Sequence, residues 1–191
     1  MTRIIAGDAG GLRLAVPASG TRPTSDRVRE SLFGALESAD ALADARVLDL
    51  YAGSGALGLE ALSRGAASAD LVEISKAAAG IARRNAQSVA VATGRPAHVH
   101  HLGVHGFLLR TTDRFDLVFS DPPYDLDDTA MTADLVALAP LLSPDALVIV
   151  ERAKRSTPPD LAAAGLEQVR AKVYGDTALW WAQPTAESQS R

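Results

Sequence analysis

Three glycines and one glutamate in the first half of the chain are spaced as in a nucleotide-binding loop. Gly53, Gly55 and Gly58 give the pattern G-x-G-x-x-G between an apolar run and a helical stretch, and Glu73 follows Gly53 by 20 residues. This is the dinucleotide-binding pattern, in which the glycines let the ligand approach the backbone and the acid binds the ribose. The loop alone is therefore compatible with NAD.

Asp49 lies at the carboxyl end of the strand predicted before these glycines. A carboxylate there would repel the pyrophosphate that a dinucleotide brings to this turn, but it suits S-adenosylmethionine, which carries an ammonium and a sulfonium. We therefore favour S-adenosylmethionine over NAD as the ligand. A third interpretation is that the loop binds neither. The candidate cofactor contacts are Asp49, Tyr51, Ala52, Gly53, Ser54, Gly55, Glu73 and Ile74.

A second motif, Asp121-Pro122-Pro123-Tyr124, follows the strand predicted over Phe115–Ser120. Two prolines cannot continue a sheet, so they make a stiff turn at the carboxyl edge, beside the cofactor strand. The amino group of a base is a weak nucleophile because its lone pair is delocalised into the ring. Asp121 and the Pro122 carbonyl can hold its two N–H groups while Tyr124 stacks on the base. The motif predicts methyl transfer to an exocyclic amine by positioning, without a strong general base.

Alternating apolar and helical runs indicate the fold that must position these motifs. Two further apolar runs after the fifth strand are separated only by Gly175-Asp176, as in a hairpin. We predict a single-domain α/β protein of Rossmann-like, class I methyltransferase type. Its seven-stranded sheet is mostly parallel, with a C-terminal antiparallel hairpin and helices on both faces. The predicted strands are Arg46–Tyr51, Ala69–Glu73, Ala97–Leu102, Phe115–Ser120, Ala146–Glu151, Leu166–Tyr174 and Thr177–Ala182. The predicted helices are Ala56–Arg64, Lys76–Val91, Val104–Arg110 and Thr129–Leu142. The domain spans residues 1–182, including an N-terminal extension and helix over 1–36, and residues 183–191 form a polar tail expected to be disordered.

Composition limits the class of protein. The chain has 191 residues, 47% of them hydrophobic, and no cysteine, which excludes disulfides and thiolate metal sites. No apolar run has the length of a membrane span and the N-terminus has no signal-peptide pattern, so a cytoplasmic protein is expected. His101 and His105 have i, i+4 spacing but straddle a strand-to-helix boundary, and we predict no metal site.

Positive charge is concentrated near the N-terminus. Residues 1–36 hold five arginines against three acids, a balance of +2, whereas the rest carries 14 basic and 20 acidic residues, a balance of −6. Such asymmetry can mark a nucleic-acid contact, although a general preference for arginine over lysine would also produce it. Arg27 and Arg29 flank the apolar side of the first helix, so neither need be buried. The candidate RNA contacts are Arg3, Arg13, Arg22, Thr24, Arg27 and Arg29.

Taken together, these motifs closely resemble those of the RsmD family, the 16S rRNA guanine-N2 methyltransferases that modify position 966. The resemblance runs from about Arg3 to Trp181 in unbroken order. It implies a flipped guanine at Asp121–Tyr124, S-adenosylmethionine at Asp49–Gly55 and Glu73, and 16S rRNA in the small subunit or a late assembly intermediate as substrate. A monomer that binds no membrane is expected. The motifs that carry the resemblance are Asp121–Tyr124, Arg22-Pro23-Thr24, Arg27–Glu30 and Leu48–Gly58.

Two alternatives remain open at this stage. One is an amino-methyltransferase with another target, such as adenine N6, DNA or a protein release factor, although the last two types usually bring a recognition domain. The other is a non-catalytic nucleotide-binding module that assists ribosome assembly. Loss of Asp121 would abolish the activity of the enzymes and leave such a module unaffected.

Overall fold

The computed structural model of the protein describes residues 2–17 and 26–186, and its centre is one seven-stranded sheet. Along the sheet the strands lie in the order β5-β4-β3-β6-β7-β9-β8, and only the last two are antiparallel to their neighbours. The predicted α/β class and the C-terminal hairpin are thereby confirmed. The sheet strands are β3 (Arg46–Leu50), β4 (Ser68–Val72), β5 (Ala97–His100), β6 (Phe115–Ser120), β7 (Leu142–Ala153), β8 (Leu166–Tyr174) and β9 (Thr177–Pro184).

Helices cover both faces of this sheet because its central strands are apolar on both sides. In β3, Val47 packs into one buried cluster, and Leu48 and Leu50 pack into another on the opposite face. The first cluster includes apolar side chains of α1, α2 and α3, and the second those of α4 and α5. The helices are α1 (Asp26–Ser38), α2 (Ala56–Ser63), α3 (Lys76–Thr93), α4 (Val104–Leu108) and α5 (Asp128–Leu138), with short 3₁₀ turns at Ala139–Leu141 and Ala162–Ala164.

The strand order reverses between β3 and β6. From β3 the chain continues through β4 to β5 on one side, and then returns to place β6 and β7 on the other. Ligands of open α/β sheets bind at such a point, beyond the carboxyl ends of the two strands. The glycine loop follows β3 and the double-proline turn follows β6, so this topology brings both motifs to the same crevice.

The N-terminal segment forms a two-stranded hairpin that the sequence did not reveal. Its strands are β1 (Thr2–Arg3) and β2 (Arg13–Leu14). Glu60 of α2 is fully buried and accepts the backbone N–H groups of Ile5 and Ala6 at 2.7 and 3.1 Å. Asn85 of α3 bonds to both backbone groups of Ala15 and donates to the Ser54 carbonyl in the glycine loop. The N-terminal segment is therefore tied to the helices that support the loop.

This hairpin makes one prediction wrong. Arg29, a candidate RNA contact that flanks the apolar stripe of α1, is only 1% exposed because the hairpin packs on that side of the helix. Its Nη2 atom donates to Thr2 Oγ1, to the Arg3 carbonyl and to Asp26 Oδ1, at 2.8, 2.9 and 2.8 Å. Arg29 thus anchors the N-terminal strand and is not placed to bind RNA.

The last strand extends beyond the predicted end of the domain at residue 182. The tail expected to begin at residue 183 does not begin there, because Gln183 and Pro184 pair with Glu167 and Leu166 and continue β9. Of the candidate RNA contacts, Arg22 and Thr24 lie outside the described residues. Within the described part of the chain, no helix is long and apolar enough to cross a membrane.

Candidate active site at the carboxyl edge of the sheet

The glycine loop is built around the buried carboxylate of Asp49. Asp49 is 2% exposed, and its Oδ2 atom accepts the Gly58 backbone N–H at 2.8 Å. A Cβ atom on Gly58 would lie 2.5 Å from a Leu71 methyl group and 3.1 Å from Asp49 Cβ, so no larger residue fits there without displacement. The third glycine of the motif therefore allows α2 to pack against β3, as the pattern requires.

Glu73 fixes the other side of the loop. Its two carboxylate oxygens accept the backbone N–H groups of Gly53 and Ser75, at 2.9 and 2.6 Å. Gly53 has a φ of 56°, a left-handed conformation that favours glycine, and a Cβ atom there would meet open space. The carboxylate thus sits at the mouth of the loop, beside a space in which a ligand can reach it.

Three carboxylates lie close together at this edge of the sheet: Asp49 in β3, Asp121 directly after β6 and Glu151 in β7. Burial raises the pKa of Asp49 to about 7, and the charge of Glu73 adds to the rise while the Gly58 N–H opposes it. Burial also raises the pKa of Asp121 well above its ordinary value, with further contributions from the charges of Glu151 and Asp49. A positively charged ligand at this edge would relieve both effects.

The residues of the turn after β6 differ in their exposure to solvent. Pro122 is buried, whereas Tyr124 is 71% exposed, an unusual position for an aromatic ring. The Leu126 N–H donates to the Pro123 carbonyl at 3.0 Å and closes the turn. The exposed ring of Tyr124, three residues after Asp121, offers a flat surface to a ligand.

The helix after this turn is anchored to the neighbouring strand. Asp127 caps α5 by accepting the Ala130 N–H at 2.7 Å. Arg152, which is buried in β7, donates to Asp128 at 2.8 Å in the first turn of that helix. The turn is therefore held at both ends, by β6 before it and by the α5–β7 contact after it.

A cavity of about 390 Å³ lies beside the loop, within the range of small-molecule sites, roughly 300–1,000 Å³. Glu73 and Ile74 line one side of it, and Gly103 and Val104 of the β5–α4 connection line another. Ile74 is 70% exposed, so its apolar side chain is available to a ligand. A larger groove of about 720 Å³ lies along α5 and is lined by none of the residues predicted as a site.

One wall of the cavity is a hydrogen-bonded triad that sequence reasoning missed. Asp134 of α5 accepts the Tyr51 hydroxyl in a short hydrogen bond and pairs with His105 Nδ1 at 2.9 Å. Burial, with the Asp134 contact, raises the pKa of Tyr51 well above its ordinary value. Tyr51 has a φ of 61°, which is strained for a residue with a side chain. The triad holds this strained residue against α5.

Comparisons with known proteins agree with this architecture. The model of the family described as Conserved hypothetical protein 95 matches residues 2–183. The chain is 38% identical over 189 residues to Ribosomal RNA small subunit methyltransferase D of Escherichia coli K12, covering 98% of this chain and 92% of that protein. The chain belongs to the family of this model. That family is the RsmD family, whose motifs the sequence resembles.

Solved structures extend the likeness of this RsmD family member to its fold. The structure of yhhF from Escherichia coli is 37% identical, with a TM-score of 0.83 over 97% of this chain and 98% of that one. Magnesium protoporphyrin IX methyltransferase from Synechocystis PCC 6803, solved with bound SAM, is 16% identical, with a TM-score of 0.70 over 88% of this chain and 87% of that one. The second likeness shows a shared fold alone, that of a class I methyltransferase.

The structure brings most of the sequence-predicted site residues to one edge. The cofactor candidates from Asp49 to Gly55 surround the loop with Glu73 and Ile74, and Asp121–Tyr124 lies one strand away. Arg3, Arg13 and Arg27 are exposed near the N-terminal hairpin. Within the described residues, no group of three His, Asp or Glu side chains could hold a metal ion.

Glu151, Asp134 and His105 belong to this region but were not predicted as site residues. Glu151 could have been found, because the strand containing it was predicted to end there, beside the strand of Asp121. Asp134 and His105 meet only through the packing of α5 on α4, which no local pattern reveals.

Replacing Asp49 by Asn should stabilise the protein in a pH-dependent way. The folded-state pKa of about 7 lies above the ordinary 3.8, so the folded state binds more protons than the unfolded state between these values. Wild-type stability should therefore fall as the pH rises, by about 1.4 kcal/mol per unit from this group, relative to the variant. Urea unfolding of both proteins from about pH 5 to pH 8 measures the difference. A difference that does not change with pH would mean that Asp49 is not strained by burial.

Proposed function

We propose that this RsmD family member transfers a methyl group from S-adenosylmethionine to the exocyclic N2 of a guanine in 16S rRNA of the small ribosomal subunit. The observation that carries this proposal is the position of Asp121-Pro122-Pro123-Tyr124 one strand from Asp49, at the reversal of strand order. The name of the Escherichia coli relative, Ribosomal RNA small subunit methyltransferase D, supports rRNA as the substrate.

The residues at the loop fit S-adenosylmethionine better than NAD. The buried Asp49, with its raised pKa, favours a ligand that brings positive charge, and a pyrophosphate would add negative charge beside it. Glu73 lies at the loop mouth, where ribose hydroxyls can donate to it, and Ile74 offers an apolar surface to an adenine ring. When bound, S-adenosylmethionine supplies a methyl group on a positively charged sulfur, and the C–S electron pair returns to that sulfur as the new N–C bond forms.

Asp121 and its turn position the amine that receives the methyl group. Among the described residues, no donor occupies the Asp121 carboxylate, so it can accept one N–H of a base amine while the Pro122 carbonyl accepts the other. Holding both N–H groups aims the lone pair away from the ring plane, toward the cofactor strand. The nitrogen must then lose a proton, and the raised pKa of Asp121 favours its acceptance there.

Tyr124 supports the base after it has left its stack in the RNA. Its ring is exposed and follows the turn directly, so a flipped base can lie against it. Stacking of a base on an aromatic ring is worth about 1–3 kcal/mol, comparable to the cost of unstacking the base. Asp121 thus controls the orientation of the amine, and Tyr124 the stability of the flipped state.

Asp121→Ala should lower the single-turnover rate of methylation by about 100-fold or more, because the interaction is made mainly at the transition state. Labelled S-adenosylmethionine at saturation, with small subunits that lack the modification, measures this rate, and digestion of the rRNA identifies the methylated atom. Cofactor affinity should change little. Asp125→Ala, which removes a nearby exposed carboxylate, is the matched control. A parent rate for Asp121→Ala, or a product other than N2-methylguanine, would contradict the proposal.

Arg3, Arg13 and Arg27 are proposed to bind rRNA phosphates from the N-terminal hairpin and α1. Arg27→Ala should weaken binding to all RNA sequences similarly and reduce the slope of log affinity against log salt by about 1. Filter binding or fluorescence anisotropy over a salt series measures that slope. Arg84→Ala removes the same charge from an exposed position on α3. Equal slopes for Arg27→Ala and the parent protein would assign Arg27 to solvated surface.

A further inference from the structure

Glu151 and Asp121 are neighbours at the carboxyl edge of the sheet. β6 and β7 run parallel, and Ser120 pairs with Val150, so the next residue of each strand is Asp121 and Glu151. Side chains alternate between the faces of a strand. Two positions before these acids, Phe119 and Ile149 both enter the cluster on the face of α1, α2 and α3. Glu151, within β7, therefore points to that same face, and Asp121 lies beside it as the first residue after β6.

The strand order also determines on which side of Asp121 the Glu151 side chain lies. Asp49 lies in β3, Asp121 directly follows β6 and Glu151 lies in β7, so Asp121 lies between the other two. With the cofactor at the β3 loop, Glu151 lies beyond the reacting amine, on the side of the base. The charge of Glu151 also raises the pKa of Asp121, which is consistent with their proximity.

A second carboxylate beside Asp121 distinguishes among the bases that carry an exocyclic amine. In guanine, N2 is flanked by a ring N–H at N1, which is a hydrogen-bond donor. In adenine and cytosine, the ring nitrogens that flank the amine carry lone pairs and only accept. An ionised carboxylate accepts hydrogen bonds and cannot donate. The pair of acids therefore matches the N1–N2 edge of guanine and no edge of the other two bases.

We propose that Glu151 selects guanine by accepting its N1–H while Asp121 and the Pro122 carbonyl hold N2. This inference rests on the proposed function and adds to it the residue that determines the base. An adenine placed with its amine at Asp121 would turn the N1 lone pair toward Glu151. Adenine would therefore lack the hydrogen bond to Glu151, and its N1 lone pair would repel the carboxylate. A missing hydrogen bond combined with repulsion makes a binding site discriminate strongly against an analogue.

A substrate analogue combined with a variant of Glu151 isolates this contact. 2-Aminopurine keeps the 2-amino group of guanine but has a lone pair at N1 in place of the N–H and a hydrogen at C6 in place of the carbonyl oxygen. The part of the preference that changes when only residue 151 is altered therefore reports the N1 contact. Small subunits reconstituted with 16S rRNA carrying either base at the target provide the two substrates. The parent protein should prefer guanine by at least about 100-fold in kcat/KM. Because this preference is a ratio within one protein, it does not depend on how much of a variant is folded.

Glu151→Gln is the informative variant, because its amide has nearly the same shape and can either accept from N1–H or donate to an N1 lone pair. The preference for guanine over 2-aminopurine should fall by about 10-fold or more, with unchanged affinity for S-adenosylmethionine. Glu167→Gln, at an exposed position of β8, should keep the parent preference.

Three results would overturn the inference in different ways. Equal methylation of guanine and 2-aminopurine by the parent protein, or an unchanged preference in Glu151→Gln, would remove Glu151 from base selection and leave the proposed function intact. If the parent protein methylates no guanine N2 in unmodified subunits, the proposed function fails, and the role of Glu151 fails with it.

Discussion

Burial of carboxylates at one edge of the sheet is the constraint on which the site depends. Asp49 is surrounded by protein and accepts one backbone N–H, which offsets only part of the cost of removing its charge from water. Asp121 and Glu151 add negative charge at the same edge of the sheet. Such an arrangement is unfavourable in the empty protein and becomes favourable when a ligand brings positive charge and hydrogen-bond donors. The electrostatic repulsion among these acids is relieved only when the ligands bind.

The rest of the fold holds the acids in place despite that cost. Glycine at position 58 lets α2 pack against Asp49, and Glu73 ties the loop to the next strand. Asn85 links the loop to the N-terminal segment. On the other side of the crevice, Arg152 donates to Asp128 at the start of α5, which opposes movement of the turn carrying Asp121 away from its neighbours. Each contact opposes the separation that charge repulsion favours.

Much of this could be predicted from the sequence, because the motifs and the strand alternation are local. The predicted Rossmann-like fold makes the first and fourth strands of the alternating series neighbours, so the sequence alone assigns Asp49 and Asp121 to one crevice. What could not be predicted depends on long-range packing. The two-residue strands of the hairpin have no apolar period, so nothing showed that they would bury Arg29. The meeting of Asp134 with Tyr51 likewise needs the docking of α5.

The central claim is that cationic ligand charge compensates the buried acids, and calorimetry of proton exchange tests it most directly. S-adenosylmethionine is titrated into the protein at about pH 6.5, below the raised pKa of Asp49, in buffers of different ionisation enthalpy. The account predicts a net release of protons on binding. The release should be smaller for S-adenosylhomocysteine, which lacks the sulfonium charge. Binding of S-adenosylmethionine without proton release, or equal release with the two ligands, would contradict it.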